Sequence, residues 1–265
     1  MSEETGQCSI CGVVDKLSFE HVPPSAAFND QRIFEQNLQE MLKAEEEGRK
    51  PKGKWAQRGA GRYTLCERCN STTGSWYGTT YVSWARQAAE LLDRSKGDLN
   101  LAYPYRLHPL RAIKQVTAMF CSVCGPALQK RFPEIPKFVL DPERRYLPYD
   151  LKVFAYLVDP NESEGGRQSP VVKERIGAKE HVFAEFAFAP LGFVLTGDVF
   201  PINADLLDIS YFGYWPYHNV QTVFLKLPVL PIVSGAPGDF RTRDELNKQQ
   251  QSGEKLGDIF LDVLK

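Results

Sequence analysis

All six cysteines of this 265-residue chain stand in Cys-x-x-Cys pairs: Cys8/Cys11, Cys66/Cys69 and Cys121/Cys124. Without a secretory leader, pairs at that spacing read as metal ligands or redox groups before they read as disulfides. The start, MSEETGQCSI, carries acids and no apolar core, so no leader is expected. The first two pairs have the surroundings of a metal-wrapping turn: Gly12 follows one, Asn70 follows the other, and polar residues flank both. Zinc takes four thiolates in a tetrahedron, which two such turns supply. The separation between the pairs exceeds the commonest zinc spacing, and the competing reading is of small, inert core residues. The expectation is one zinc on Cys8, Cys11, Cys66 and Cys69. It would have no open position and would serve to close a long loop.

The third pair differs. In HPLRAIKQVTAMFCSVCGPALQ the residues Leu110, Ile113, Val116, Phe120, Cys121 and Cys124 follow helical spacing, and no partner pair comes after them. Cys121 and Cys124 are expected in a core.

The expected organisation is α+β in two parts, 1–98 and 99–265. The first part opens with a turn-rich knuckle, a short strand at Lys16–Glu20 and a stop at Pro23-Pro24. Residues 30–47 place Ile33/Phe34, Leu38 and Met41/Leu42 on one face, which predicts an amphipathic helix. Residues 48–66 predict a basic loop leading into a strand at Arg62–Leu65. After Asn70, the recurrence of Tyr77, Tyr81, Trp84, Ala88 and Leu91 predicts a helix ending near Leu92. Arg94–Asn100 is the expected boundary. Beyond it, Lys152–Val158, Val171–Ile176, His181–Ala187, Phe193–Thr196 and Gln221–Leu227 read as strands of an antiparallel α+β domain. The tail closes with Ile259/Phe260/Val263/Leu264, as a docking helix would.

A hydrophobic share of 43% with 25% charged residues excludes wholesale disorder. A net charge of −1 argues against a globally basic nucleic-acid coat or a polybasic membrane binder. The longest apolar stretch, near Phe186–Leu195, is about half a membrane span, so no membrane partner is expected. A cytoplasmic protein is the expectation.

Two features add chemistry to the zinc module. Glu20-His21 ends the strand after the first knuckle, and Asn70 directly follows Cys69. Carboxylate and amide oxygens are hard ligands of the kind Mg²⁺ takes, and an imidazole can accept a proton from water at neutral pH. Singly, a Glu-His pair is a surface pair and an Asn after Cys is a helix cap. The order C-x2-C … E-H … C-x2-C-N, with the run Glu-His-Val-Pro-Pro, resembles the HNH (ββα-metal) endonuclease superfamily, in the branch stapled by a four-cysteine zinc. The similarity covers roughly residues 5–93; the remainder resembles no family we can name. It implies a treble-clef-like ββα-metal fold and hydrolysis of DNA phosphodiester bonds. It also implies His21 as general base, with Glu20 and Asn70 holding a catalytic Mg²⁺ or Mn²⁺. The chain departs from the family in having neither His nor Asn at 71–93, where many members carry a third ligand. Its acid is Glu rather than the commoner Asp.

The loop residues Lys52, Lys54, Arg58 and Arg62, with Trp55 and Tyr63 nearby, are candidate contacts to phosphates and bases. The alternative to a nuclease is a non-catalytic zinc module that binds nucleic acid or a protein. A third reading is a nuclease effector governed by its C-terminal part, a protein partner or a homo-oligomer, as in bacterial anti-phage defence.

Overall fold

The computed structural model describes residues 4–95, 101–163, 165–176, 179–197 and 205–251. β1 (Thr5–Gln7) and β2 (Val14–His21) form an antiparallel hairpin around the first cysteine pair. β3 (Ile33–Gln36), α1 (Leu38–Glu46) and β4 (Gly53–Ala56) follow. β5 (Gly61–Cys66) then returns beside β2 to give the sheet β1-β2-β5. α2 (Glu67–Thr73) leaves the end of β5 and runs through a π-helical turn, Gly74–Gly78, into α3 (Thr79–Ser95).

The helix expected over 30–47 is therefore shorter, and part of the loop expected over 48–66 is strand. Phe34 lies opposite Trp55 in the β3–β4 register, with ring centroids 5.1 Å apart. A cross-strand aromatic pair of this kind wins over the helical spacing of the same residues. The stripe from Tyr77 behaves as predicted through Tyr81, Trp84 and Ala88, after which Leu92 rather than Leu91 is the fully covered leucine.

β6 (Tyr103–Leu107), α4 (Pro109–Cys124), α5 (Pro126–Arg131) and α6 (Ile135–Leu140) connect to the strand-rich half. There β7 (Leu151–Val158), β8 (Gly166–Ile176), β9 (Lys179–Phe188), β10 (Leu191–Gly197) and β11 (Leu207–Asp208) form a sheet in the order β11-β7-β10-β9-β8. Its pairings are antiparallel except at the edge, where β13 (Val229–Leu230) runs parallel to β7. β12 (Gln221–Leu225) pairs with β6 instead, and α7 is Arg243–Gln251. Residues 96–100 of the expected boundary and the expected docking helix near Ile259–Leu264 lie outside the described residues. Among the described residues no helix is long and apolar enough to cross a membrane.

α4 organises the packing. Every residue of it except Arg111 is buried, including Cys121 and Cys124, which sit in the core as their helical spacing predicts. A helix covered all round must lie at the centre of its fold. α4 touches α3, β5, β8 and β9, and one apolar cluster extends from Cys8 to Leu227.

Lys114 is fully buried within α4. Its Nζ donates to the Phe138 carbonyl and, at 2.9 Å, to the Asp141 carbonyl, closing the C-terminal end of α6. Burial pushes its ammonium down to about 7, a fall that Arg144 adds to and that Asp141 and Glu143 oppose. The unfolded chain therefore binds a proton that the folded one lacks between about pH 7 and the ordinary lysine value of ~10.4. Stability from this group is full above that value and is lost as pH falls through about 7. Lys114→Met would orphan the buried Phe138 carbonyl, at about 1–3 kcal/mol, and leave the part-buried Asp141 carbonyl without this donor. We expect the denaturant midpoint of wild type to exceed that of Lys114→Met, and the gap to widen from pH 7 to pH 9.5. A gap that stays constant or narrows would contradict a depressed lysine.

Candidate metal centre and adjoining cleft

The two knuckles meet because backbone bonds draw them together. The first is closed by Cys8 N–H to the Val13 carbonyl and Gly12 N–H to the Cys8 carbonyl, both 2.9 Å, and Ser9 N–H reaches the Thr64 carbonyl of β5 at 2.9 Å. The second pair straddles the β5–α2 junction, with Cys66 extended and Cys69 in the first turn of the helix. All four sulfurs lie within 4.8 Å of one another; those of Cys11 and Cys66 are 3.8 Å apart. Cys8, Cys66 and Cys69 are buried and Cys11 is half-buried. A hydrogen bond from the Cys69 thiol holds Cys8 down to about 4, while the same bond drives Cys69 upward and burial raises Cys11. Four thiols this close cannot all ionise without a cation among them, and a thiophilic tetrahedral ion such as zinc fits the set.

The same two strands position Glu20 and His21. The β2–β5 register shifts between Ser18 and Phe19, and past this bulge Glu20 stands opposite Arg62 and His21 opposite Gly61. A bulge of this kind re-aims the side chains that follow it. Glu20 turns inward and is 7% exposed. Its Oε1 accepts the Ser122 hydroxyl of α4 at 2.5 Å, whereas its buried Oε2 has no partner among the described residues. Among the described residues no Lys or Arg pairs with it. Burial pushes the carboxyl up to about 8, partly offset by the Ser122 hydroxyl.

His21 is half-buried, edge-on to the Phe19 ring at 5.0 Å. Its Nε2 lies 2.8 Å from the Arg58 carbonyl. A carbonyl only accepts, so Nε2 carries the hydrogen and Nδ1 is left as the lone-pair nitrogen of the neutral ring. The Arg58 carbonyl is in turn held by its neighbourhood. Asn29, with no exposed surface, donates through Nδ2 to the Pro23 and Ala60 carbonyls (2.6 and 2.7 Å) and accepts Ala60 N–H at 2.6 Å. Gly59 makes room for this clamp: its φ is +80°, and a Cβ there would sit 2.1 Å from the Asn29 carbonyl oxygen.

Asn70 opens the helix face opposite. Its Nδ2 donates to Ser18 Oγ at 3.0 Å and to the Phe19 carbonyl at 3.2 Å, tying α2 to the strand that carries Glu20 and His21. Its Oδ1 accepts nothing among the described residues. Glu20, His21 and Asn70 thus line one cleft of about 700 Å³, which Pro24, Ser25 and Ala26 also line.

The basic residues are less uniform than their sequence suggests. Lys54 pairs with Glu35 at 3.3 Å, and Arg62 donates twice to Gln168 Oε1 of β8 at 3.1 and 3.0 Å. Lys52 and Arg58 are exposed, and no ion pair forms at either among the described residues. Acids of β3 and α1 offset part of a charge that looked unopposed along the loop: Glu40 also binds Arg49.

Sequence reading missed Ser122, Asn29 and Gln115, which also lines the cleft. Ser122 and Gln115 lie in the long buried helix α4, and Asn29 lies in a turn, so no local pattern marked them. Compared with protein-family models, with curated proteins and with solved structures, the chain matches none.

Proposed function

We propose that this protein is a divalent-metal-dependent nuclease of the HNH (ββα-metal) type, hydrolysing DNA phosphodiester bonds, with a structural zinc on its four clustered cysteines. The observation that carries the reading is the pairing, in one cleft, of an imidazole whose Nε2 is engaged, leaving Nδ1 as its lone-pair nitrogen, with a buried carboxyl oxygen that has no partner among the described residues. A carboxyl placed where burial disfavours its charge, with no cation of the protein beside it, suits a bound cation. Glu20 Oε2 and Asn70 Oδ1 are hard donors that would hold Mg²⁺ or Mn²⁺, leaving further positions to water and a substrate phosphate. Such an ion, when bound, stabilises negative charge building on the phosphate.

The chain's own residues supply the rest. His21 Nδ1 takes a proton from water, and the water oxygen forms a bond to phosphorus. The bond to the leaving oxygen breaks, and that oxygen takes its proton from solvent. The Arg58 carbonyl keeps the imidazole in the needed tautomer and steadies it as it becomes charged. Asn70 holds β2 against α2, and Ser122 fixes the Glu20 carboxylate from below. Lys52 and Arg58 offer the free charge for phosphates. Lys54 and Arg62 must exchange Glu35 and Gln168 for them.

The test is cleavage of a supercoiled plasmid with Mg²⁺ or Mn²⁺ by wild type and Glu20→Gln. Glu20→Gln keeps the shape and the Ser122 contact but loses the charge, so nicking should fall sharply. Equal cleavage by both would remove Glu20 from the site. No cleavage with any divalent ion, alone or with partners co-purified from the source, would leave the non-catalytic zinc module as the reading.

A further inference from the structure

Along the helical run from α2 through α3, the residues Asn70, Gly74, Gly78, Val82, Arg86 and Glu90 all line the cleft, one every fourth residue. Two glycines on one face of a helix cost stability, because each could be alanine. Glycines in helices are commonly kept for close backbone approach. That reason is absent here, since a Cβ built on Gly74 or Gly78 meets nothing within 4 Å. What the missing side chains preserve is open space in the cleft.

A second, independent feature lies beside that space. Gln115 of α4 is only 7% exposed, lines the same cleft, and has a side-chain oxygen with no partner. As the amide stands, that buried oxygen is unsatisfied, a state that a ligand or water would complete. The neighbouring polar groups are already engaged. Gln87 bonds Arg106 N–H and carbonyl, at 2.8 and 3.0 Å, and Glu90 pairs with Arg94. Arg86 is exposed, and no ion pair forms at it among the described residues. At ~1.5 Å per residue it stands roughly 24 Å along the helix from Asn70.

We infer that this helix face is the channel for the substrate strand, kept open by Gly74 and Gly78, and that Arg86 and Gln115 hold a nucleotide of that strand several positions from the scissile bond. Arg86 meets its phosphate, and the Gln115 amide hydrogen-bonds the edge of its base or sugar. The identity of the ligand rests on the nuclease reading. The channel itself rests on the glycine face and the orphaned amide.

The experiment measures binding apart from chemistry. In the His21→Ala background without added Mg²⁺ or Mn²⁺, fluorescence anisotropy follows a labelled single-stranded DNA and its duplex. Gly74→Leu with Gly78→Leu should weaken binding on the order of tenfold or more, the size of losing one or two base contacts. Arg86→Ala should reduce the slope of log affinity against log salt by about 1. Gln115→Leu should change the base preference at one position of the strand. Gly74→Ala with Gly78→Ala guards against misfolding: it should raise the melting temperature and still weaken binding. Losses confined to the single strand, or to the duplex, identify which form enters.

If the leucine pair binds both probes as wild type does, the channel is elsewhere, even where wild type cuts DNA. If wild type binds and the leucine pair does not, but nothing is ever cut, the channel stands and the nuclease falls. No binding of either probe by wild type overturns both.

Discussion

His21→Ala is expected to lower metal-dependent cleavage by ~10²–10⁴-fold, the usual worth of a positioned general base. Folding, zinc content and DNA affinity should stay near wild type, because the imidazole makes one hydrogen bond to a carbonyl and is half-exposed. The loss should be in kcat, since the proton is moved only in the transition state. Excess Mn²⁺ should restore part of the activity of a cation-site variant such as Asn70→Ala and none of that of His21→Ala. Single-turnover cleavage of a labelled duplex measures both. If His21→Ala cuts at the wild-type rate, Nδ1 is not the base, whatever the fate of the nuclease.

The second large effect concerns the cysteine cluster. Wild type should carry about one equivalent of zinc by elemental analysis, and Cys66→Ser with Cys69→Ser should carry none. Removing half the ligands forfeits the metal's contribution to folding, which reaches ~10–16 kcal/mol in isolated zinc-finger peptides. Here the loss is bounded by the apolar cluster that α2 and α3 share with α4. Hydrogen exchange should therefore show loss of protection over β2, β5 and the start of α2, with β7, β9 and β10 still protected. Chelation of wild type should reproduce the pattern. Zinc retained by the double variant, or absent from wild type, would break the link between the sulfur cluster and the metal.

How much of this was legible in the sequence depended on how local each signal was. Cys8, Cys11, Cys66 and Cys69 could be paired from spacing and flanking turns alone, and they do cluster. Glu20, His21 and Asn70 were marked by their place in the order of motifs, and they line one cleft. The periodicity of α4 showed a buried helix, since each turn repeats the same apolar face. What it hid was that Gln115 on that helix lines the cleft and that Ser122 holds the Glu20 carboxyl. A polar residue in an apolar run gives no sign of which partner it meets. The β3–β4 hairpin was hidden for a related reason. Ile33 and Phe34 also fit a helical face, and only Trp55, far along the chain, decides between strand and helix. The basic loop looked uncompensated because its acids, Glu35 and Glu40, lie in the elements before it.

The burial of Glu20 under Ser122 has a consequence for the order in which a growing chain can become competent. Cys69 completes the sulfur cage long before α4 is synthesised. At ~5–20 residues per second, Ser122 follows Cys69 by roughly 3–10 s. During that interval a nascent chain holds both knuckles, the imidazole and its carbonyl partner, yet its acid faces water as an ordinary carboxylate. The low-dielectric setting that raises the Glu20 carboxyl arrives only with the second half of the polypeptide. A fragment ending before α4 would carry the recognisable motifs and lack the floor beneath them. On the proposed reading, competence would thus be deferred until translation has passed the segment that carries the motifs.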